Sequence, residues 1–158
     1  MECLAFSKIT GKDSLKEQLK ELEEKEILLP EERKRIRIHK LMQFFESDLG
    51  RRMIAADKAK NLCKEQPFVM GIPAKEIDTS IASEEIVLVQ GIIDAYFEEE
   101  DGLVLMDYKT DWVKSAHELV EKYKAQLDYY QKALEKVTGK EVKQKIIYSF
   151  HLGEEIAL

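Results

Sequence analysis

The sequence predicts an α/β fold, a central sheet flanked by helices. The first third repeats its apolar residues every three or four positions, the middle turns β-rich between prolines, and a long helical stripe then precedes a final strand. The chain has 158 residues, 44% of them apolar, which suits one domain with a real core. No internal repeat or low-complexity tract breaks this order.

Ser14 followed by Glu17 reads as a capping box opening the first helix, whose stripe is Leu15, Leu19 and Leu22. Pro30 suits the first turn of a second helix, where its missing N–H costs nothing. Ile38, Leu41, Met42, Phe45 and Leu49 continue at helical spacing. Ser47 opens a further turn or a short third helix through Arg51, Met53 and Ala56. The run Glu31, Glu32, Arg33, Lys34, Arg35 reads as a solvated face.

Pro67 and Pro73 then bracket the extended segment Phe68-Val69-Met70-Gly71-Ile72. Ile86 to Phe97 is β-rich and nearly continuously apolar, which predicts burial on both faces. Glu98 to Gly102 is a turn, with Asp101-Gly102 the hairpin signal. Leu103 to Met106 returns as a strand and ends in Asp107-Tyr108-Lys109-Thr110. After a loop at Asp111-Trp112, Ser115 and Glu118 form a second capping box. Val120, Tyr123, Leu127, Tyr130, Leu134 and Val137 stripe the long helix, Gly139 ends it, and Ile146 to Phe150 is a further strand.

Lys plus Arg number 25 and Asp plus Glu 31, a net charge of −6. Such a chain does not bind nucleic acid by bulk positive charge. It contains no G-x-x-x-x-G-K-[ST], hence no P-loop, and it is too short for a motor. It has no apolar run of transmembrane length and no basic-then-apolar leader. Cys3 and Cys63 stand in no metal spacing and read as reduced, buried thiols in a cytoplasmic setting.

Asp94, Asp107 and Lys109 interrupt the two central strands. Charges inside an apolar hairpin are costly unless paired or metal-bound. A two-residue turn at Asp101-Gly102 sets Asp94 opposite Lys109, with Asp107 diagonal to it. A four-residue loop sets Asp94 opposite Asp107. Either collects the three on one face, because strand side chains alternate. Two carboxylates so placed suit a hard cation, Mg2+ or Mn2+, and a neighbouring lysine can orient a water or stabilise phosphoryl charge. A buried salt-bridge cluster accounts for the same three residues equally well.

Gly91-Ile92-Ile93-Asp94 followed by Asp107-Tyr108-Lys109-Thr110 resembles the G-x-x-D … D-Y-K-T core of the RecB-type PD-(D/E)XK nucleases. Gln126-Leu127-Asp128-Tyr129-Tyr130 is similar to that family's Q-L-x-x-Y motif, with Gln126, Tyr130 and Tyr123 on one helical face. The stretches Phe44 to Arg52, Glu65 to Phe68 and Val89 to Tyr96 extend the resemblance over essentially the whole chain. It implies a restriction-endonuclease-like α/β fold with a central mixed sheet, residues 1–158 forming one nuclease domain with a helical part at 1–60 and the sheet and catalytic core at 61–158. It further implies Asp94, Asp107 and the Tyr108 carbonyl as ligands of Mg2+ or Mn2+, Lys109 as the catalytic lysine, and Gln126, Tyr130 and Tyr123 as support for the site or contacts to DNA.

The implied activity is metal-dependent exonucleolytic cleavage of single-stranded DNA, in double-strand-break repair and recombination. The implied setting is a larger ATP-dependent helicase–nuclease whose helicase domains and partner subunit deliver the 3′-ended strand. The resemblance also places a metal-holding histidine just upstream of a segment like Met1 to Phe6, so this chain is expected to be a fragment whose isolated activity is weak. His39, His117 and His151 do not replace it. The alternative function is a non-catalytic, DNA-guiding or subunit-docking module. Only two cysteines are present, which disfavours a branch carrying an iron–sulfur cluster.

Trp112 has two readings, packing against the long helix or stacking on a base. Tyr123 and Tyr130 lie on the core stripe, and for Tyr130 a site role is as good a reading as packing. Glu98, Glu99 and Glu100 read as a solvated turn, and Glu76 and Glu85 as spare acids. From Lys109 to Lys145 nine lysines face six acids, so this third is expected to be the DNA-facing side.

Overall fold

The computed structural model describes residues 1–77 and 83–158. After a single 3-10 turn at Phe6–Lys8, four helices follow: α1 (Lys12–Glu24), α2 (Pro30–Arg35), α3 (Ile38–Glu46) and α4 (Asp48–Lys58). Then come β1 (Leu62–Pro73), α5 (Ala74–Ile77), β2 (Ile86–Glu99), β3 (Gly102–Lys109), α6 (Ala116–Thr138), β4 (Val142–Ser149) and β5 (Glu154–Ala157). The sheet runs β1-β2-β3-β4-β5, antiparallel except for the parallel β3–β4 pair. That parallel pair needs a long crossover, which α6 supplies. The expected mixed sheet flanked by helices is therefore present.

Helices cover both faces of β3. Val104 and Met106 join Ala95, Phe97, Phe44, Phe45, Leu49 and Met53 on the α1–α3–α4 side. Leu103 and Leu105 join Phe68, Met70, Tyr130 and Leu134 on the α6 side. Burial on both faces, the expectation for β2, fails there. β2 pairs with β3 only from Ala95 onward, so its earlier half forms a two-stranded ribbon with β1. One face of the ribbon meets α6, and the other leaves Val69, Leu88 and Ile92 exposed, Leu88 at 72%.

Local signals are realised with shifts. Pro30 is at the first turn of α2, as its missing donor predicts. Ser47 caps α4, its Oγ accepting the Gly50 N–H at 3.1 Å. Gly50 is required there, since a Cβ would stand 2.0 Å from the Phe44 carbonyl oxygen. The first helix begins earlier than expected, with Gly11 as N-cap. Ser14 is its third residue, reaching back to accept the Gly11 and Thr10 N–H groups at 3.1 and 2.9 Å. Ser115 does precede α6 but makes no capping bond; Glu118 accepts from Lys114 N–H instead.

Gly139 ends α6 in the left-handed conformation at φ 69°. Val137 falls off the stripe and is 76% exposed. The edge strand β5 carries no strand signal of its own: its four residues are half charged and gain strand form by pairing with β4. Glu155 of β5 also accepts the Leu49 N–H at 2.8 Å, at the start of α4. Cys63 is half-buried, but Cys3, expected inside, is exposed; both are free thiols. Among the described residues no helix is long and apolar enough to cross a membrane.

Candidate active site

The β2–β3 register decides what meets what. Glu99 pairs with Gly102 and Ala95 with Met106, so the turn is Glu100-Asp101 rather than Asp101-Gly102. Gly102, at φ 139°, takes the conformation that other residues rarely adopt. Carried one pair further, this register would set Asp94 opposite Asp107, the arrangement expected from a four-residue loop but reached here through a two-residue turn. The ladder stops there for a reason. A continued antiparallel ladder would give the Tyr108 N–H to Ile93. Asp94 Oδ2 takes it instead, at 2.8 Å.

On its other side Asp94 faces Glu65, which has φ 51°, and this pair too is missing from the β1–β2 ladder. Ile93 and Ala95, the neighbours of Asp94, lie in apolar clusters on opposite sides of the sheet. Regular alternation is thus broken at Asp94. Burial raises the Glu65 carboxyl, and the nearby Asp94 and Glu2 raise it further. Sequence reasoning gives Glu65 no role, although it opens one of the stretches that carry the resemblance.

Asp107 is 1% exposed. Lys109 Nζ lies 2.5 Å from its Oδ2, as two residues on one strand face can. The contact is an ion pair without hydrogen-bond alignment, and Oδ2 has no other donor. Burial pushes the Asp107 carboxyl up to about 6 against the pull of Lys109, with Asp94 and Asp111 adding to the rise. A buried carboxylate needs positive charge beside it; Lys109 supplies it here, and a bound cation would share that role.

α6 completes the surroundings. Lys109 Nζ stands 4.0 Å from the centre of the Tyr123 ring and 3.5 Å from Gln126 Oε1. Gln126 Nε2 donates to the Tyr130 hydroxyl at 2.5 Å, one turn along the same helix. Tyr130 is buried, and its ring packs edge-on against Phe68 at 5.5 Å. Burial raises its phenol pKa. Gly91 has a packing reason: a Cβ there would press on Phe68 at 3.0 Å and Tyr130 at 3.3 Å. Tyr123 donates to Asp111 Oδ1 at 2.9 Å, and Lys122 pairs with the same oxygen at 2.5 Å. The side chain of Tyr108 points the other way, to the α3–α4 side, where burial raises its phenol pKa well above the usual value.

The structure thus brings Asp107, Lys109, Tyr123, Gln126 and Tyr130 together and sets Asp94 beside them. Among the described residues no three His, Cys, Asp or Glu side chains converge in a metal-holding group. Two carboxylates with backbone oxygen still suit Mg2+, which keeps several waters and is commonly held by one or two carboxylates. Glu76 pairs with Lys132, and Glu98 with Lys140. Glu99 is no solvated turn residue, since Arg52 and Lys143 hold it. Trp112 does not pack on α6; it is 71% exposed, with its ring 5.7 Å from that of His151.

The expectation of a DNA-facing basic third also changes. Of its nine lysines, Lys109, Lys122, Lys124, Lys132, Lys140, Lys143 and Lys145 each pair with a carboxylate.

Comparison with known proteins agrees with this geometry. The family described as the PD-(D/E)XK nuclease superfamily matches residues 4–155. An ATP-dependent helicase/nuclease subunit of Clostridium perfringens is 43% identical over 165 aligned positions, covering 100% of this chain and 13% of the relative. The subunit of the same name from a Thermoanaerobacter species is 45% identical, covering 97% of the chain and 13% of the relative. That from Clostridium botulinum is 42% identical, covering 100% and 12%. The chain spans about 13% of the length of the curated relatives it matches. With a five-stranded mixed sheet and a family match over nearly its full length, this chain belongs to the PD-(D/E)XK nuclease superfamily.

Proposed function

We propose that residues 1–158 form the nuclease domain of an AddAB-type helicase–nuclease, with the helical part at 1–60 and the sheet and catalytic core at 61–158. The domain hydrolyses phosphodiesters of single-stranded DNA exonucleolytically, in double-strand-break repair and recombination. Helicase domains elsewhere in the parent chain and an AddB-type partner subunit deliver the unwound strand in the cytoplasm. The observation that carries this reading is the buried Asp107 carboxylate ion-paired to Lys109, with Asp94 beside them accepting the Tyr108 N–H.

Asp94, Asp107 and the Tyr108 carbonyl hold Mg2+ or Mn2+. Such an ion neutralises phosphate charge and acidifies a bound water. Lys109 provides a fixed ammonium that orients the attacking water or stabilises charge on the phosphoryl oxygens. Its desolvated setting strengthens that charge, and the Tyr123 ring and Gln126 amide aim it. Tyr130 fixes the Gln126 amide through the hydroxyl contact. Asp94 would help hold the ion and, through the Tyr108 N–H, sets the backbone from which Asp107 and Lys109 project.

The test uses the full-length protein with its partner, Mg2+ or Mn2+, and a single-stranded substrate. Asp107→Ala and Lys109→Ala should each cut at least about a hundredfold more slowly while unwinding is retained. Mn2+ binding, read by electron paramagnetic resonance, should weaken in Asp94→Asn and Asp107→Asn. Variants that cut and bind Mn2+ like the parent would leave the non-catalytic DNA-guiding role as the better account.

A further inference from the structure

Among the described residues, positive charge without a carboxylate partner is concentrated at the α2–α3 edge. From Glu31 to Lys40 there are five basic residues, Arg33, Lys34, Arg35, Arg37 and Lys40, against two acids. Among the described residues none of the five has a carboxylate partner, in contrast to most lysines of the last third. The α2–α3 edge borders an open cavity of about 1100 Å3, and Arg35, Arg37, Lys40, Thr110, Trp112 and His151 all line it.

Trp112 and His151 follow the ends of two parallel strands, β3 and β4, so both loops emerge at the same end of the sheet. Their rings stand 5.7 Å apart at 54°. Lys40 Nζ donates to the His151 carbonyl at 3.1 Å and ties that loop to α3. Trp112 is three residues beyond Lys109, a span of at most about 11 Å. That is a few nucleotide rises of about 3.4 Å each. The indole is 71% exposed, while most of the chain's aromatic rings are buried, so its face is open to a ligand in the cavity.

We propose that Trp112 is a base-stacking platform for the single strand, and that the α2–α3 edge, through Arg35, Arg37 and Lys40, holds the strand's phosphates. The proposal rests on the reading of the chain as a DNA nuclease and adds where the substrate lies beside the scissile bond. Stacking uses the π-face common to every base, so the subsite accepts any sequence. A duplex keeps its bases stacked on one another and cannot offer one to the indole, so the subsite favours single strands.

Trp112 is the chain's single tryptophan, so its own emission reports the contact. The chain is mixed with an oligodeoxythymidylate in the absence of divalent metal, so that nothing is cut. A matched oligomer of abasic sugar-phosphate units is the control. The expected result is saturable quenching by the thymidylate and little by the abasic strand. Trp112→Ala, followed by anisotropy of a labelled strand, should bind roughly five- to a hundredfold more weakly, with Trp112→Phe in between.

If the full-length protein with its partner cuts no single-stranded DNA yet thymidylate still quenches Trp112, the nuclease reading fails and the stacking site stands. Unchanged emission with thymidylate, or equal quenching by the abasic strand, overturns the proposal. So does a Trp112→Ala variant that binds the strand as tightly as the parent.

Discussion

The two ends of the β2–β3 hairpin treat charge in opposite ways. At the turn, Arg52 holds Glu99 with two hydrogen bonds of 2.9 and 3.0 Å, and Lys143 adds a third cation contact at 2.7 Å. Arg52 also donates to Gln144 at 3.0 Å and lies over the Phe97 ring. The Arg52 guanidinium, with Lys143, pulls the Glu99 carboxyl down to about 2. At the open end, Asp107 has a lysine at a similar distance, yet burial pushes its carboxyl up to about 6. The difference is solvent and satisfaction. Glu99 is partly exposed and meets a planar fork of donors, which is the strong form of an ion pair. Asp107 is desolvated, and its one lysine does not outweigh burial, so its charge is held at a cost. The first arrangement stabilises the hairpin; the second holds a costly charge where the proposed chemistry occurs.

The largest effect should separate the two ends by activity. Asp107→Asn in the full-length protein should lower single-strand cleavage by two to four orders of magnitude, measured as initial rates with Mg2+. Glu99→Gln should leave the rate within about threefold. Comparable losses at both ends would break the comparison, because the turn cluster would then also serve the chemistry.

Stability should show the reverse ranking. The Asp107 carboxyl rises from 3.8 to about 6 on folding, so the folded state binds its proton more tightly than the unfolded chain. The stabilisation from protonation is present below about pH 4 and is lost as pH rises through about 6. In metal-free protein at pH 7.5, Asp107→Asn should therefore raise the unfolding free energy, by on the order of 2–3 kcal/mol at most. Urea melts of parent and variant between pH 4 and 8 check this. A variant curve parallel to the parent's would show that Asp107 carries no such cost.

Glu99 has the opposite sign and a smaller size. Its carboxyl is lowered on folding, so its stabilisation is present above about pH 4.5 and fades as pH falls toward 2. Glu99→Gln should cost about 1 kcal/mol at pH 7, because the pair is partly exposed and screened. The loss should shrink in 1 M salt, whereas the Asp107→Asn gain should persist because a buried charge is poorly screened.

How much of this could be read from residues alone follows from the range of each interaction. Asp94, Asp107 and Lys109 could be placed together because strand periodicity and a short turn act locally. The exact turn could not, since Asp101-Gly102 and Glu100-Asp101 differ by one step and Gly102 serves either. Gln126 and Tyr130 were legible from helical spacing. Glu65 was not, because its positive φ depends on a break in the ladder two strands from the turn. The exposure of Leu88 reflects where β3 stops pairing, and the form of β5 reflects its pairing with β4 rather than its own residues. Lysine counts did not show how much of that charge is matched, since composition does not tell which lysines pair with carboxylates across the fold.

The smallest effect concerns the scaffold behind Lys109. Gln126 lies at the long limit of a hydrogen bond from the ammonium, and its own amide is fixed by Tyr130. Tyr130→Phe removes that anchor and keeps the ring that packs on Phe68, so folding should be nearly unchanged. The Lys109 ammonium keeps its ion pair with Asp107 and its place over Tyr123. What it loses is one weak restraint on direction, and cleavage should fall by only about two- to fivefold, with Mn2+ affinity unaltered. Gln126→Glu is the sharper companion. A carboxylate at that distance would compete with Asp107 for the ammonium and let the Asp107 carboxyl rise further. Its rate should fall more than that of Tyr130→Phe. A rate equal to the parent's in both variants would show that Asp107 alone aims the lysine, and that the open end of the hairpin is as self-contained as the turn.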